Sequence, residues 1–114
     1  GVLSALDAEV YPEFSWSGGT LHAFTTNVEV NMQPTFWGER PTSPVSGTAE
    51  LHIDGQTVEE QSLTYTNRGT APEEQQIRFS CQFDSHKADE GQDWEVWVRL
   101  TDNFGREHLF IAGK

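Results

Sequence analysis

Apolar and polar residues alternate with a period of two through much of this 114-residue chain, and a helical period is not seen. From Asn27 to Met32 the run "NVEVNM" sets Val28, Val30 and Met32 on one side, and "TAELHI" does the same with Ala49, Leu51 and Ile53. "QIRFSCQF" sets Ile77, Phe79, Cys81 and Phe83 against Arg78, Ser80 and Gln82. "WEVWVRL" groups Trp94, Val96, Val98 and Leu100 against Glu95, Trp97 and Arg99. Side chains alternate across a pleated strand, so each pattern predicts a strand with one buried face. "VEEQSLTYT" is a weaker strand carrying Val58, Leu63 and Tyr65, and "LSALDAEVY" reads as an edge strand or a short helix over Ser4–Val10. The segment "HLFIA" is apolar apart from its leading histidine, with Leu109 and Ile111 on one face and His108 and Phe110 on the other.

Between these runs lie "SWSGGT", "GERPTSP", "IDGQ", "NRGTAPEE", "KADEGQ" and "DNFGR", all of turn or loop composition. The Asp-Gly pair of "IDGQ" predicts a tight hairpin between Ile53 and Thr57. Six or seven short strands at this spacing point to an all-β fold, an antiparallel β-sandwich of about seven strands. Its expected core is Val28, Val30, Leu51, Ile53, Ile77, Phe79, Cys81, Phe83, Trp94, Val96, Val98, Leu100, Leu109 and Ile111. The length suits one domain over residues 1–114, and no internal repeat or interdomain linker is visible. Gly1 is the kind of start that a trimmed chain has, so a module of a longer protein or complex is part of the expectation.

The stretch "WEVWVRLTDNFGREHLFIAG", an inward-alternating strand, a D-N-x-G turn and a final strand, resembles the closing hairpin of immunoglobulin-like and fibronectin-type-III-like domains. The resemblance covers about the final third of the chain and implies architecture alone, because sandwich folds host many unrelated functions. The chain departs from antibody-type domains in lacking a cysteine pair and the Cys–Trp–Cys spacing.

Charge narrows the partners. With 18 acidic and 7 basic residues the net charge is −11, which repels a phosphate backbone, so nucleic acid and anionic membrane are not expected partners. A basic or cationic partner suits it better. No stretch approaches the roughly 18–20 apolar residues that span a bilayer. Cys81 is the single cysteine, so an internal disulfide is excluded, and compartment and oligomeric state stay open.

The aromatic residues left over once the core is filled are the main candidates for function. Trp97 falls on the face opposite Trp94, Val96 and Val98; Phe36 and Trp37 sit in the Pro-bounded "PTFWGERP", and Trp16 in the Ser/Gly-rich "SWSGG". Exposed rings of this kind anchor a protein partner or stack on sugars, and they also serve to cap a sandwich or cover a neighbour such as Arg99.

The acidic loop "DSHKADEGQD" offers Asp84, Asp89, Glu90 and Asp93 around His86, the ingredients of a calcium loop without EF-hand spacing, and reads as a solvated turn. His22, His52 and His108 fall in strands and form a metal site only if the fold brings them together. Cys81, flanked by Phe79 and Phe83, reads as a small hydrophobe. Pairs such as Glu59–Glu60 and Glu73–Glu74 read as solvent-facing charge, and no nucleophile elbow or phosphate loop is present. The expected role is therefore non-catalytic and without cofactor: an interaction or accessory module for a protein partner or neighbouring domain, with a carbohydrate-binding module or a small metal-binding protein as alternatives.

Overall fold

The computed structural model describes residues 6–31, 42–68, 76–89 and 91–113. The alternation read from the sequence becomes extended chain throughout, with nine strands and no helix among these residues. β1 (Asp7–Ser17) and β2 (Thr20–Asn31) form a hairpin closed by Gly18 and Gly19, both at positive φ, as a turn following the strand twist requires. β3 (Pro44–Ile53) and β4 (Gln56–Ser62) form a second hairpin through Asp54 and Gly55 at φ 48° and 80°, the predicted Asp-Gly turn. β5 (Thr64–Arg68), β6 (Gln76–Phe83), the two-residue β7 (His86–Lys87), β8 (Trp94–Asp102) and β9 (Glu107–Gly113) complete the chain.

The strands make two antiparallel sheets. The first has the order β1-β2-β6-β5, with β7 pairing the end of β2; the second has the order β4-β3-β8-β9. The run read as one strand, "VEEQSLTYT", is thus divided. The chain leaves the second sheet after Ser62 and enters the first at Thr64, and the intervening Leu63 is buried with its amide bonded to the Gly47 carbonyl. Of the two readings of the N-terminal run, the edge strand is observed from Asp7 onward, whereas residues 1–5 lie outside the described residues.

Between the sheets lie Val28, Val30, Ile77, Phe79 and Phe83 from the first and Leu51, Ile53, Val96, Val98 and Leu100 from the second, all buried as predicted. Burying a side chain of this class contributes roughly 1.5–3 kcal/mol. Leu21, Phe24 and Leu63 join this core, while Cys81 and Trp94 sit half-buried at its rim. Side chains also tie the sheets together. The Tyr65 hydroxyl of β5 donates to the Pro44 carbonyl at 2.9 Å. The Glu59 carboxylate of β4 accepts from the Asp84 amide at 3.0 Å and pairs with His86 at 2.6 Å. Burial pushes the Glu59 carboxyl up, but hydrogen bonds from Gln61, His86 and the Asp84 amide outweigh it and hold the group below the ordinary glutamate range.

One core expectation is overturned. Leu109 and Ile111 are 43% and 48% exposed, and the residues of β9 that face the interior are His108, Phe110 and Ala112. The reason is the parity of the β8–β9 loop. Asp102 and Arg106 close it, through the Asp102 amide and the Arg106 carbonyl, around Asn103, Phe104 and Gly105. Three loop residues set Val98 opposite Phe110 and Val96 opposite Ala112, and directly opposed residues share a face. A two-residue loop would have turned Leu109 and Ile111 inward. Gly105, at φ 81°, occupies the left-handed position characteristic of a three-residue hairpin loop.

Asp102 fixes this loop. It is only 2% exposed, and its carboxylate accepts from the Phe104 amide at 2.8 Å, the Arg106 amide at 3.0 Å and Arg106 Nε at 2.9 Å, and pairs with His108 at 2.7 Å. Burial alone would raise its pKa, but those partners outweigh the desolvation and hold the carboxyl far below the ordinary aspartate range. A carboxyl depressed in the folded state contributes its full stabilisation above the unfolded value of about 3.9 and loses it as pH falls through the folded one. Asp102→Asn is therefore expected to cost about 3 kcal/mol at pH 7. In denaturant titrations the gap from the parent protein should narrow as pH drops below about 4, whereas a gap independent of pH would contradict this role.

Candidate functional site

The outward face of the second sheet brings Trp97 together with two exposed aliphatic residues and a set of charged side chains. Alternation turns Thr48, Glu50 and His52 of β3, Glu95, Trp97, Arg99 and Thr101 of β8, and Glu107, Leu109 and Ile111 of β9 away from the core. The register sets Trp97 between Glu50 on one side and Ile111 on the other, and Arg99 between Thr48 and Leu109.

Trp97 is half-buried, and its neighbours on the sheet surface account for that. The His52 imidazole stacks on the indole with centroids 4.5 Å apart and planes 10° from parallel. The Arg99 guanidinium carbon lies 5.6 Å from the ring centroid. His52 is paired with Glu95 and Arg99 with Thr48, one same-face step to either side of the Trp97–Glu50 pair, so the two flank the indole from opposite directions along the strand. Trp97 Nε1 donates to Glu95 at 3.3 Å. His52 is itself buried beneath this arrangement, with its Nε2 3.1 Å from Glu50 and 3.3 Å from the Thr57 hydroxyl.

Charge is partly neutralised here. Arg99 donates to Glu50 at 2.8 Å and to Glu107 at 3.1 Å. The Arg99 guanidinium, and to a smaller extent His52, hold the Glu50 carboxyl below the ordinary glutamate range against the opposing effect of burial. Glu60 stands directly across from Glu50, so among the described residues four carboxylates share the face with one guanidinium. Beside Glu95 the surface dips into an open depression of about 430 Å³ lined by His52, Asp54, Gly55, Asp93 and Glu95. Asp54 in its lining accepts from the Asp93 amide at 2.9 Å and from Gln92 Nε2 at 2.7 Å.

No family model, curated protein or solved structure matches this chain. Its chemistry rests on its own residues.

The other sequence candidates are dispersed. Trp16 lies within β1, not in a turn, and packs edge-on against Phe14 at 6.2 Å at the rim of the core. Phe36 and Trp37 fall outside the described residues. The three strand histidines do not converge. His22 is exposed on the first sheet, His52 faces outward on the second, and His108 faces inward toward Asp102. In the acidic loop the Asp84 amide is bonded to Glu59 and the Asp89 amide to Gln92, and Glu90 lies outside the described residues. Among the described residues no three histidine, cysteine or acidic side chains group as metal ligands would. Cys81 is half-buried, and burial pushes its thiol up to about 11, too high for a nucleophilic thiolate at neutral pH.

Sequence reasoning found Trp97 and missed Leu109, Ile111 and His52. The loop length carried the signal for the first two. His52 becomes a partner of Trp97 only through the pairing of β3 with β8, which no local pattern encodes.

Covering by the imidazole has a measurable consequence. His52→Ala should cost about 1 kcal/mol, the worth of an aromatic stack, and should raise acrylamide quenching of tryptophan emission. The rise should disappear when Trp97→Phe is combined with it. Unchanged quenching would mean that the imidazole does not shield the indole.

Proposed function

We propose that the chain is a non-catalytic interaction module, of immunoglobulin-like architecture, that docks a protein partner or neighbouring domain on the outward face of its second sheet. The architectural part is supported by strand order. β1-β2-β6-β5 against β4-β3-β8-β9 is the order that an immunoglobulin-like sandwich has when its seven strands gain one beside the third.

The functional part is carried by one observation: the edge strand β9 presents Leu109 and Ile111 side by side to solvent, next to Trp97 and Arg99. Natural proteins blunt sheet edges with charge, proline or cover, and an edge that instead shows two adjacent aliphatic residues is matched to a covering surface. Trp97 then serves as a braced pillar beside the contact. The carbohydrate reading needs open, coplanar rings. Among the described residues the flanked faces of Trp97 and the packed position of Trp16 give it no support.

The test is a parallel screen. A random peptide display library and a glycan array are offered to the parent domain and to Leu109→Glu and Ile111→Glu. We expect peptides enriched on the parent to lose at least tenfold in affinity on either variant, about 1.4 kcal/mol, with melting temperature within a few degrees of the parent. Peptide enrichment indifferent to both substitutions, or glycan binding that survives them, would overturn the proposal.

A further inference from the structure

On this reading of the face, the arrangement around β9 also specifies the chemistry of what docks there. Three observations bear on it. First, the backbone of β9 is paired on one side only. Its ladder runs to β8, and among the described residues no backbone hydrogen bond joins its other edge to any strand, β1 of the opposite sheet included. β1 of the opposite sheet comes near this edge without pairing to it, so the donors and acceptors of β9 that β1 does not shield are open to a further strand.

Second, the outward residues of β9 read Glu107, Leu109, Ile111, Gly113, so the apolar pair is bracketed. At one end stands Glu107. At the other, Gly113 carries no side chain and lies opposite Glu95, whose carboxylate belongs to the acidic depression with Asp54 and Asp93. A Cβ at position 113 would come within 2.7 Å of the Trp94 carbonyl oxygen and 2.9 Å of Glu95 Cγ, so the close approach of β8 keeps this position bare. With no side chain at 113, the Glu95 stem packs directly against the β9 backbone there, and Glu95 also lines the depression.

Third, the whole molecule carries a net charge of −11, which opposes self-association and attracts cationic ligands.

We infer that β9 accepts an extended peptide strand whose same-face residues run basic, apolar, apolar, basic, with single residues between them. The two apolar side chains cover Leu109 and Ile111. One basic side chain meets Glu107, and the other passes over Gly113 to Glu95 and the depression beside it. Because the pattern is the same in both directions, it fits a parallel or an antiparallel strand. Main-chain bonds hold the strand, and the spacing of the cations sets its register. A second copy of this chain is a poor occupant. Its own edge strand brings a carboxylate where the pattern calls for a cation.

The probe is a capped synthetic peptide containing Lys-Thr-Ile-Thr-Val-Thr-Lys, titrated into isotopically labelled protein while amide resonances are followed. Shifts should centre on the β9 amides. Affinity should fall at least fivefold for a peptide with its lysines made adjacent, at least fivefold for Glu95→Gln, and at least tenfold for Ile111→Lys. It should also weaken with added salt. Absence of shifts at millimolar peptide, equal binding of the rearranged peptide, or a dimer by sedimentation that Ile111→Lys dissociates would each overturn the inference. The broader docking proposal fails separately. If display selects peptides that need Leu109 and Ile111 but carry no paired basic residues, the docking face stands and the basic bracket falls.

Discussion

The register between β8 and β9 is the constraint on which the outer surface depends. It is set by a buried carboxylate. Asp102 takes two backbone amides of the loop and the side chains of Arg106 and His108, and so holds the loop at three residues with Gly105 in the left-handed position. Loop parity then places Phe110 against Val98 in the interior, leaving Leu109 and Ile111 outside beside Arg99 and Trp97. A one-residue slip would exchange the two sets, because side chains alternate along a strand. The same turn donates the Asn103 amide to Ser43 and accepts the Ser43 amide on the Asn103 side chain, which fixes the chain where it enters β3. One ionised group therefore governs both the closing hairpin and the face it presents.

That face combines two kinds of aromatic and apolar surface that act differently. Trp97 is flanked by an imidazole and a guanidinium, each contact worth roughly 0.5–1.5 kcal/mol, and its hydrophobic area is largely spent within the chain. Leu109 and Ile111 have no such cover. Their exposure and the carboxylates around them are the observations on which the proposed docking rests. The ion pairs of Arg99 add little stability in a solvated setting, but they keep the guanidinium against the indole and hold Glu50 ionised at neutral pH.

Much of the fold was legible in the sequence because alternation is a local signal. Val28 and Val30, Phe79 and Phe83, Val96 and Val98 all face inward as read, and the Asp-Gly and Gly-Gly turns fall where composition marked them. Legibility failed where alternation did. "HLFIA" is apolar on both faces of the strand from Leu109 on, so its orientation was decided by loop length and by His108 reaching Asp102 from the inner side. "VEEQSLTYT" hid a change of sheet at Leu63, since a strand that ends in one sheet and one that begins in the other need no break in hydrophobicity. For the site, the outward placement of Trp97 was readable, whereas its stacking on His52 required knowing that β3 lies beside β8. Trp16 looked like a turn residue only because the glycines follow it so closely; the strand continues through it to Ser17.

The orientation of β9 is open to direct measurement. In a Cys81→Ala background, single cysteines placed as Leu109→Cys, Phe110→Cys and Ile111→Cys report which side chains meet solvent through their rates of native-state labelling by a thiol reagent. The account requires positions 109 and 111 to react at close to the unfolded rate and position 110 to be slower by about tenfold or more. Rapid labelling at 110 with protection at 109 and 111 would show the opposite register, and the proposed contact face would lose its basis.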